Sequence, residues 1–516
     1  MNTNEPIQMD DIQGLILRGY NYDFIRYIVL TIPGADAVQG AKEFCADLLP
    51  DSKAAGLKIT DATPWVNGKP PYCLNIGFTI YGLNLLIGAS NCSTLNSTSN
   101  QLFSSYSDGA VSDAGFVGDT GDSDPQYWWT RSGGWLPGPN PAADGSDLHI
   151  QLTLYTRCPE HREEYYGKLL AMIPKTKNGD LCVKPVFFKD SDPVVVNGDP
   201  TYIHFDYKDS LSQPRINKSP WNVIEVITDD DRPKVPADRF IISTNATDYQ
   251  AHPFLKNGTF AAFRLLYQDV ASFEEFITSD PSTDPELIAA KMCGRWRDGT
   301  PLVVSPDKMD PDLKGFDYTN FDYHTRTRHQ KGDMINDDDG LRCPYAAHIR
   351  RANPRDDIQV SGNTDLTTGA PVYAVTHRIL RRATPYGPPY NKAEQIEGLQ
   401  IQRGLVGLFI GAVLDFQFRF IMNTWLEQGS FRSPDASPNS SGVDPIFGPR
   451  TDDTYEPDLV LAFAVPKPVQ EPPAYHTVAK NLQRYVRTDG SLYIFMPGIE
   501  GLRCISQGAI VPQATV

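Results

Sequence analysis

The segment Gly340-Leu-Arg-Cys-Pro-Tyr-Ala-Ala-His348-Ile-Arg-Arg-Ala-Asn-Pro-Arg355 holds the residues of this chain most able to do chemistry. One histidine follows an apolar Tyr-Ala-Ala run, and Arg350, Arg351 and Arg355 come soon after it. A buried imidazole can bind a metal, and nearby guanidiniums can hold a dianionic cofactor. Axial histidine ligation with arginine-held propionates is one way proteins seat heme. On local pattern alone, a core histidine ahead of a basic helix end is the commoner arrangement. The rest of the chain has to decide between them.

The elements that must position such residues come from a chain of 516 residues. That is too long for one ordinary core, so two domains are expected, with three conceivable. The 42 prolines and 40 glycines imply many turns and long ordered loops. A formal net charge of −16 argues against a nucleic-acid or anionic-membrane partner, because either needs a basic face. Neutral or cationic small molecules fit better, and self-association stays open. The eight cysteines are scattered, with no C-x-x-C and no zinc-type spacing. They read mostly as buried thiols. The start, Met1-Asn-Thr-Asn-Glu-Pro, has no basic and no apolar leader region. A soluble, cytoplasmic protein is expected from the chain as given, although a secreted form with its signal removed would look the same. The longest apolar run, residues 404–414, is too short to span a bilayer and reads as core.

Alternating or β-branched runs predict strands at residues 27–32, 74–80, 148–154, 258–266, 405–413 and 491–496, with a turn entering a strand at 11–17. Helical spacing appears at 38–49, 160–172, 272–277, 285–292 and 415–425. Residues 90–145, rich in Ser, Gly, Asp and Asn, read as a long ordered loop whose Trp128, Trp129 and Trp135 must pack on something. The pattern recurs in kind, which suggests two α+β sandwiches. The join is expected between about residues 215 and 255, where Pro220, Pro233, Pro236 and an acidic run cluster.

Several segments, in order along the chain, together resemble the dye-decolorizing peroxidase family of heme enzymes. Asp11-Ile-Gln-Gly14 resembles its first motif. Phe205-Asp-Tyr-Lys-Asp209-Ser-Leu-Ser-Gln-Pro214 resembles its catalytic-aspartate motif, and residues 257–270 the start of its second domain. Lys291 to Leu302 resembles the segment before the heme ligand, Gly340 to Arg355 the proximal-ligand segment, and Arg378 to Gly387 the distal-arginine segment. Six matches in order are far more specific than one short motif. The resemblance implies an α+β fold of two ferredoxin-like domains, each an antiparallel sheet covered by helices. Residues 1–215 would form the first, 216–255 a linker, and 256–516 the second, which holds one heme b per chain. One match is imperfect. The family pattern is Gly-x-x-Asp-Gly, whereas Asp206 and Ser210 flank Asp209 here. Glycine at such positions usually serves a positive φ or a close approach. The new side chains would narrow the pocket, shift Asp209, or place a second carboxylate beside it.

The resemblance assigns His348 as the proximal iron ligand and Asp444, in Gly442-Val-Asp-Pro-Ile-Phe447, as its carboxylate partner. The alternative for Asp444 is a plain Asx-Pro turn. Asp209 and Arg381 would meet peroxide: one group shuttles a proton between its oxygens, and the guanidinium stabilizes developing negative charge. Which of the two moves the proton is open. Taken singly, Asp209 could be a turn residue and Arg381 one of a solvated Arg–Arg pair. Arg355 is expected to hold the propionates, with Arg350 or Arg351 as substitutes. Phe409 and Leu408 are expected to line the distal pocket, although ordinary strand core describes them equally. His377 reads as a structural histidine in a strand, and His324 and His329 as solvated loop residues. Large dyes would not pass Phe409, so a surface aromatic such as Tyr390 would have to relay the oxidizing equivalent. The expected function is a heme peroxidase that reduces hydrogen peroxide and oxidizes dyes or phenols, with an acidic optimum. The competing reading is a heme carrier, store or sensor. A β-rich hydrolase with Asp/Glu pairs is a third, and no Gly-x-Ser-x-Gly supports a nucleophile elbow.

Overall fold

The computed structural model describes residues 7–66, 68–217, 234–279, 281, 283–313, 318–319, 321–324, 337, 340–357, 376–392, 401–427, 444–447, 461–464, 475–478 and 483–511. Its strands are β1 Phe24–Thr31, β2 Tyr72–Phe78, β3 Ile150–Thr156, β4 Lys184–Ser191, β5 Thr259–Gln268, β6 Leu380–Tyr386, β7 Gly404–Gly411 and β8 Val486–Met496, besides short two-stranded pairs. The eight lie in one sheet in the order β6-β7-β5-β8-β2-β3-β1-β4. All neighboring pairs are antiparallel.

That order contains one motif twice. β1, helix α1 (Val38–Asp47), β2, β3, helix α2 (Pro159–Ala171) and β4 give the spatial order 2-3-1-4. β5, helices α3 (Val270–Ile277) and α4 (Pro285–Cys293), β6, β7, the helical stretch Phe418–Leu426 and β8 repeat it. This is the βαββαβ ferredoxin-like arrangement, so the α+β fold is as expected. The two halves of the sheet join where Phe495 of β8 opposes Phe78 of β2. The far ends also meet, because Ser191 Oγ of β4 donates to the Pro385 carbonyl of β6 at 2.6 Å and Tyr27 hydroxyl lies 3.1 Å from Thr384 Oγ1. The enclosed face is apolar and aromatic. Tyr27 packs on Phe263, and Trp129 stacks on Phe263 at 6.2 Å.

Most expected elements are present within a few residues. Others differ for identifiable reasons. Residues 90–145 contain helices Ala89–Thr98 and Asn100–Ser112, with buried Leu95, Leu102, Phe103, Tyr106 and Ala110 at helical spacing. Serine and asparagine occupy their outer faces and mask that period. Residues 11–17 turn into a short helix, Gly14–Leu17, not a strand. Residues 415–425 form a helical turn that continues as a π-helix over Ile421–Leu426. β4 and β6 were not expected, because lysine, arginine and proline interrupt their alternation. All eight cysteines are unpaired thiols, buried except for half-buried Cys158. No helix among the described residues is long and apolar enough to cross a membrane.

Candidate active site

One cavity of about 310 Å³ lies on the outer face of β5, β6 and β7. His348, Asp209, Arg381, Arg355 and Phe409 all line it. Five positions spread over two hundred residues therefore meet at one place.

His348 opens the short helix α5 (His348–Ala352). Behind it, α4 ends on Gly294 in the left-handed region (φ 93°), where a Cβ would come within 2.5 Å of Ile349. Glycine is what lets the two helices meet. The His348 ring lies with Nδ1 2.7 Å from Asp444 Oδ2, which fixes Nδ1 as the protonated nitrogen and leaves Nε2 as the basic one. The other Asp444 oxygen accepts from the amides of Ile446 at 2.9 Å and Phe447 at 2.8 Å. Carboxylate partner and Asx turn are thus one residue used at both oxygens. Burial pushes the Asp444 carboxyl up, but His348, the Phe447 amide and Arg351 outweigh that and bring it below its usual range.

Of the three arginines after His348, only Arg355 reaches the cavity. Arg350 is fully buried behind it, bonded to Asp337 at 2.8 Å and Asp357 at 2.7 Å, between the rings of Tyr323 and Tyr345. Arg351 is also buried and donates to the Trp425 carbonyl at 2.6 Å. Neither is placed to substitute for Arg355. Arg355 donates to the carbonyls of Thr319 (3.0 Å) and Phe321 and reaches Ser212 Oγ at 3.3 Å.

Asp209 sits in a loop with four non-glycine residues at positive φ: Phe205 (73°), Asp206 (58°), Ser210 (64°) and Ser212 (59°). Two of these are the residues that replace the motif glycines, so the backbone keeps the glycine-like conformation without glycine. Such strain persists only where surroundings enforce it. Here Arg381 Nη2 donates to the Leu211 carbonyl at 2.7 Å and Arg378 Nη2 to the Ser212 carbonyl at 3.1 Å. The Gln213 side chain bonds the Arg381 backbone at 3.2 and 3.3 Å. Ser210 lines the cavity. Asp206 does not: its side chain is 54% exposed and faces Arg297 at 3.6 Å, so no second carboxylate enters beside Asp209.

Arg381 and Phe409 are direct partners across β6 and β7, on the cavity face. Leu408 was expected there too and is not. Successive strand residues face opposite sides, so Leu408 is fully buried in the enclosed core. For the same reason Arg382 leaves the cavity and donates to the Leu15 carbonyl at 2.9 Å, so Arg381–Arg382 is no solvated pair. His377 stacks on Phe420 at 3.8 Å and bonds the Phe416 carbonyl, and burial pushes it down to about 4. It is structural as expected, but β6 begins only at Leu380. His324 is not solvated: it is buried against Asp357. His329 lies outside the described residues. Tyr390 is half-buried beneath Arg403.

Sequence reasoning missed Arg295, Arg378 and Ser212, which surround the loop after Asp209, and the cavity-facing π-helical residues Ile421, Met422 and Leu426. A basic residue before a Trp carries no signal of its burial, whereas a π-helix next to a site is a recurrent association. Among the described residues, no three His, Cys, Asp or Glu side chains converge as a metal site. One basic imidazole nitrogen, apolar walls and a guanidinium rim fit an iron porphyrin.

No protein-family model matches the chain. It is 29% identical over 314 residues to the dye-decolorizing peroxidase AauDyP1 of Auricularia auricula-judae, covering 58% of this chain. It is 27% identical over 320 residues to a dye-decolorizing peroxidase of Mycena epipterygia. The chain spans 55% and 57% of the length of these two relatives. With peroxidase 2 of Mycetinis scorodonius it is 24% identical over 96% of this chain and 87% of that one. Its fold matches a solved dye-decolorizing peroxidase in complex with 2,6-dimethoxyphenol, with TM-score 0.71 and 22% identity over 97% of this chain and 100% of the other. A fungal structure from Auricularia auricula-judae matches with TM-score 0.71 over the same shares. In sequence along nearly its whole length and in fold, the chain is similar to dye-decolorizing peroxidases.

Proposed function

We propose that this protein is a peroxidase that carries one heme b per chain, reduces hydrogen peroxide and oxidizes dyes, phenols or similar one-electron donors. What supports this most is a single cavity shared by the carboxylate-anchored His348 and by Asp209 with Arg381. His348 would bind iron through Nε2, and Arg355 would hold the porphyrin carboxylates. The iron porphyrin would supply the redox chemistry. The residues supply the rest. Arg381 is permanently cationic and cannot accept a proton, so Asp209 is assigned to take a proton from one peroxide oxygen and return it to the other, which leaves as water. Arg381 stabilizes negative charge on the departing oxygen. Phe409 keeps the neighboring wall apolar. A carboxylate in the proton-carrying role favors acidic pH, where histidine would already be charged. A division at residues 216–255, between a first unit at 1–215 and a heme-binding unit at 256–516, belongs to the same reading.

The deciding experiment is an absorption spectrum of protein reconstituted with heme, wild type against His348→Ala, before and after one equivalent of peroxide. The proposal expects a Soret band that shifts rapidly in wild type and is lost in the variant. A band that His348→Ala leaves unaltered would refute the ligand assignment. A band that peroxide leaves unaltered would favor a carrier or store of heme.

A further inference from the structure

We propose that Arg295 is a second cation for the carboxylates of the cofactor, acting beside Arg355 from inside the wall of the cavity. The inference rests on the heme-binding reading above and goes beyond it.

Arg295 follows the glycine that ends α4 and lines the cavity, yet it is only 6% exposed. Its guanidinium donates through Nη1 to the carbonyls of Gly299 (2.8 Å) and Tyr318 (2.7 Å), and through Nη2 to Ser212 Oγ (2.9 Å). Every one of these acceptors is neutral. Two other buried arginines of this region are neutralized by contrast: Arg350 bonds two carboxylates, and Arg264, also on the cavity wall, is paired with Asp119 at 2.5 Å. Arg295 instead faces further positive charge. Arg355 touches the same Ser212 Oγ at 3.3 Å, and Arg381 holds the residue before it. Burial, then repulsion from Arg355, pushes the Arg295 guanidinium down to about 10.

A buried cation with no counter-ion is costly, and it is usually retained where a ligand supplies the missing charge. A guanidinium suits planar carboxylates better than any other side chain. The cavity at this end thus gathers Arg295, Arg355, Arg378 and Arg381 around one serine. Of these, Arg295 is the buried one whose acceptors are all neutral, and a carboxylate is the ligand group that would complete it. Ser212 is the shared acceptor that orients Arg295 and Arg355 toward it.

The test compares heme with its dimethyl ester, which keeps the iron and ring but has no carboxylate charge. Affinities are measured by absorption titration for wild type, Arg295→Gln and Arg295→Lys. Glutamine keeps a hydrogen-bond donor and removes the charge. The expectation is that Arg295→Gln weakens heme binding at least ~10-fold, as for loss of one charge-assisted pair. Ester binding should stay within about twofold, and Arg295→Lys should retain an intermediate preference. Equal loss for both porphyrins would mean that Arg295 only supports the wall, and would overturn the proposal. So would unchanged binding of both. If Arg295→Gln does not fold, the Arg295→Lys contrast decides alone, by the same ratio. Wild-type protein that binds neither porphyrin would refute the heme-binding reading itself, a separate failure.

Discussion

Replacing Asp444 by asparagine probes the candidate site at its most constrained side chain. One carboxylate oxygen serves two backbone amides, Ile446 and Phe447, and the other serves His348 Nδ1. Asparagine has a single oxygen for these two tasks. If that oxygen faces His348, the NH2 group meets two amide donors in a fully buried place. At ~1–3 kcal/mol for each buried donor left without an acceptor, this costs about 2–6 kcal/mol. If the oxygen stays with the turn, the cost is one charge-assisted hydrogen bond, ~1.5–3 kcal/mol. The second arrangement wins. The NH2 group then points at Nδ1, which must become an acceptor, and the proton moves to Nε2. The nitrogen facing the cavity can no longer bind a metal without losing that proton. Heme affinity should fall ~10–100-fold, the usual range for loss of a ligand's outer partner. Titration of the apoprotein with heme measures the affinity, and 15N shifts of the His348 ring report the tautomer. Wild-type affinity, or an Nδ1-protonated ring in the variant, would refute the reasoning. The same substitution has a pH signature. The Asp444 carboxyl lies below its usual range when folded, so its stabilization is present above the unfolded carboxylate value and is lost as pH falls through the folded one. Asp444→Asn should remove that acid-limb step.

Further outcomes follow from other features. Leu408→Ala should cost ~2–5 kcal/mol of stability by denaturant unfolding and leave heme affinity unchanged, because its side chain belongs to the enclosed core; Phe409→Ala should alter the cavity and the heme spectrum. His377 and His204 are each pushed down to about 4, mainly by burial. Both favor the neutral form when folded, so stability should be full above about pH 6.5 and fall as pH drops toward 4, by up to ~3 kcal/mol per residue. Thermal melts of His377→Phe should show a weaker fall over that window, and an identical acid profile would count against the assignment. Asp206→Gly with Ser210→Gly should change stability by no more than about 1 kcal/mol, since relief of positive-φ strain offsets the greater freedom of the unfolded chain. It should also widen the cavity at Ser210, read as faster peroxide-driven turnover; slower turnover would mean the serine itself is required.

The strands with clean β-branched or apolar runs were legible because their alternation is a local property. β4 and β6 were not. Lys184 to Ser191 carries charge at both ends, and β6 presents adjacent arginines to different sides of the sheet, a division that is settled only by tertiary packing. The loop reading of residues 90–145 failed because composition was weighed above the spacing of Leu102, Phe103, Tyr106 and Ala110. In the site, His348, Arg355, Asp209 and Arg381 stood out through segment resemblance. Leu408 was misplaced although the period of two already forbids it and Phe409 from sharing a face. Arg295 was invisible, because whether a cation lacks a counter-ion depends on residues far away in the chain.

Arg381 and Arg382 are consecutive, yet one guanidinium serves the cavity and the other braces the carbonyl of Leu15. The strand therefore tolerates drift in composition far better than drift in phase. One residue inserted ahead of them would shift both by one face, putting Arg381 where Arg382 now sits and leaving the loop of Asp209 without its brace. Length variation among relatives should accordingly collect outside Leu380–Tyr386 and spare the strand itself.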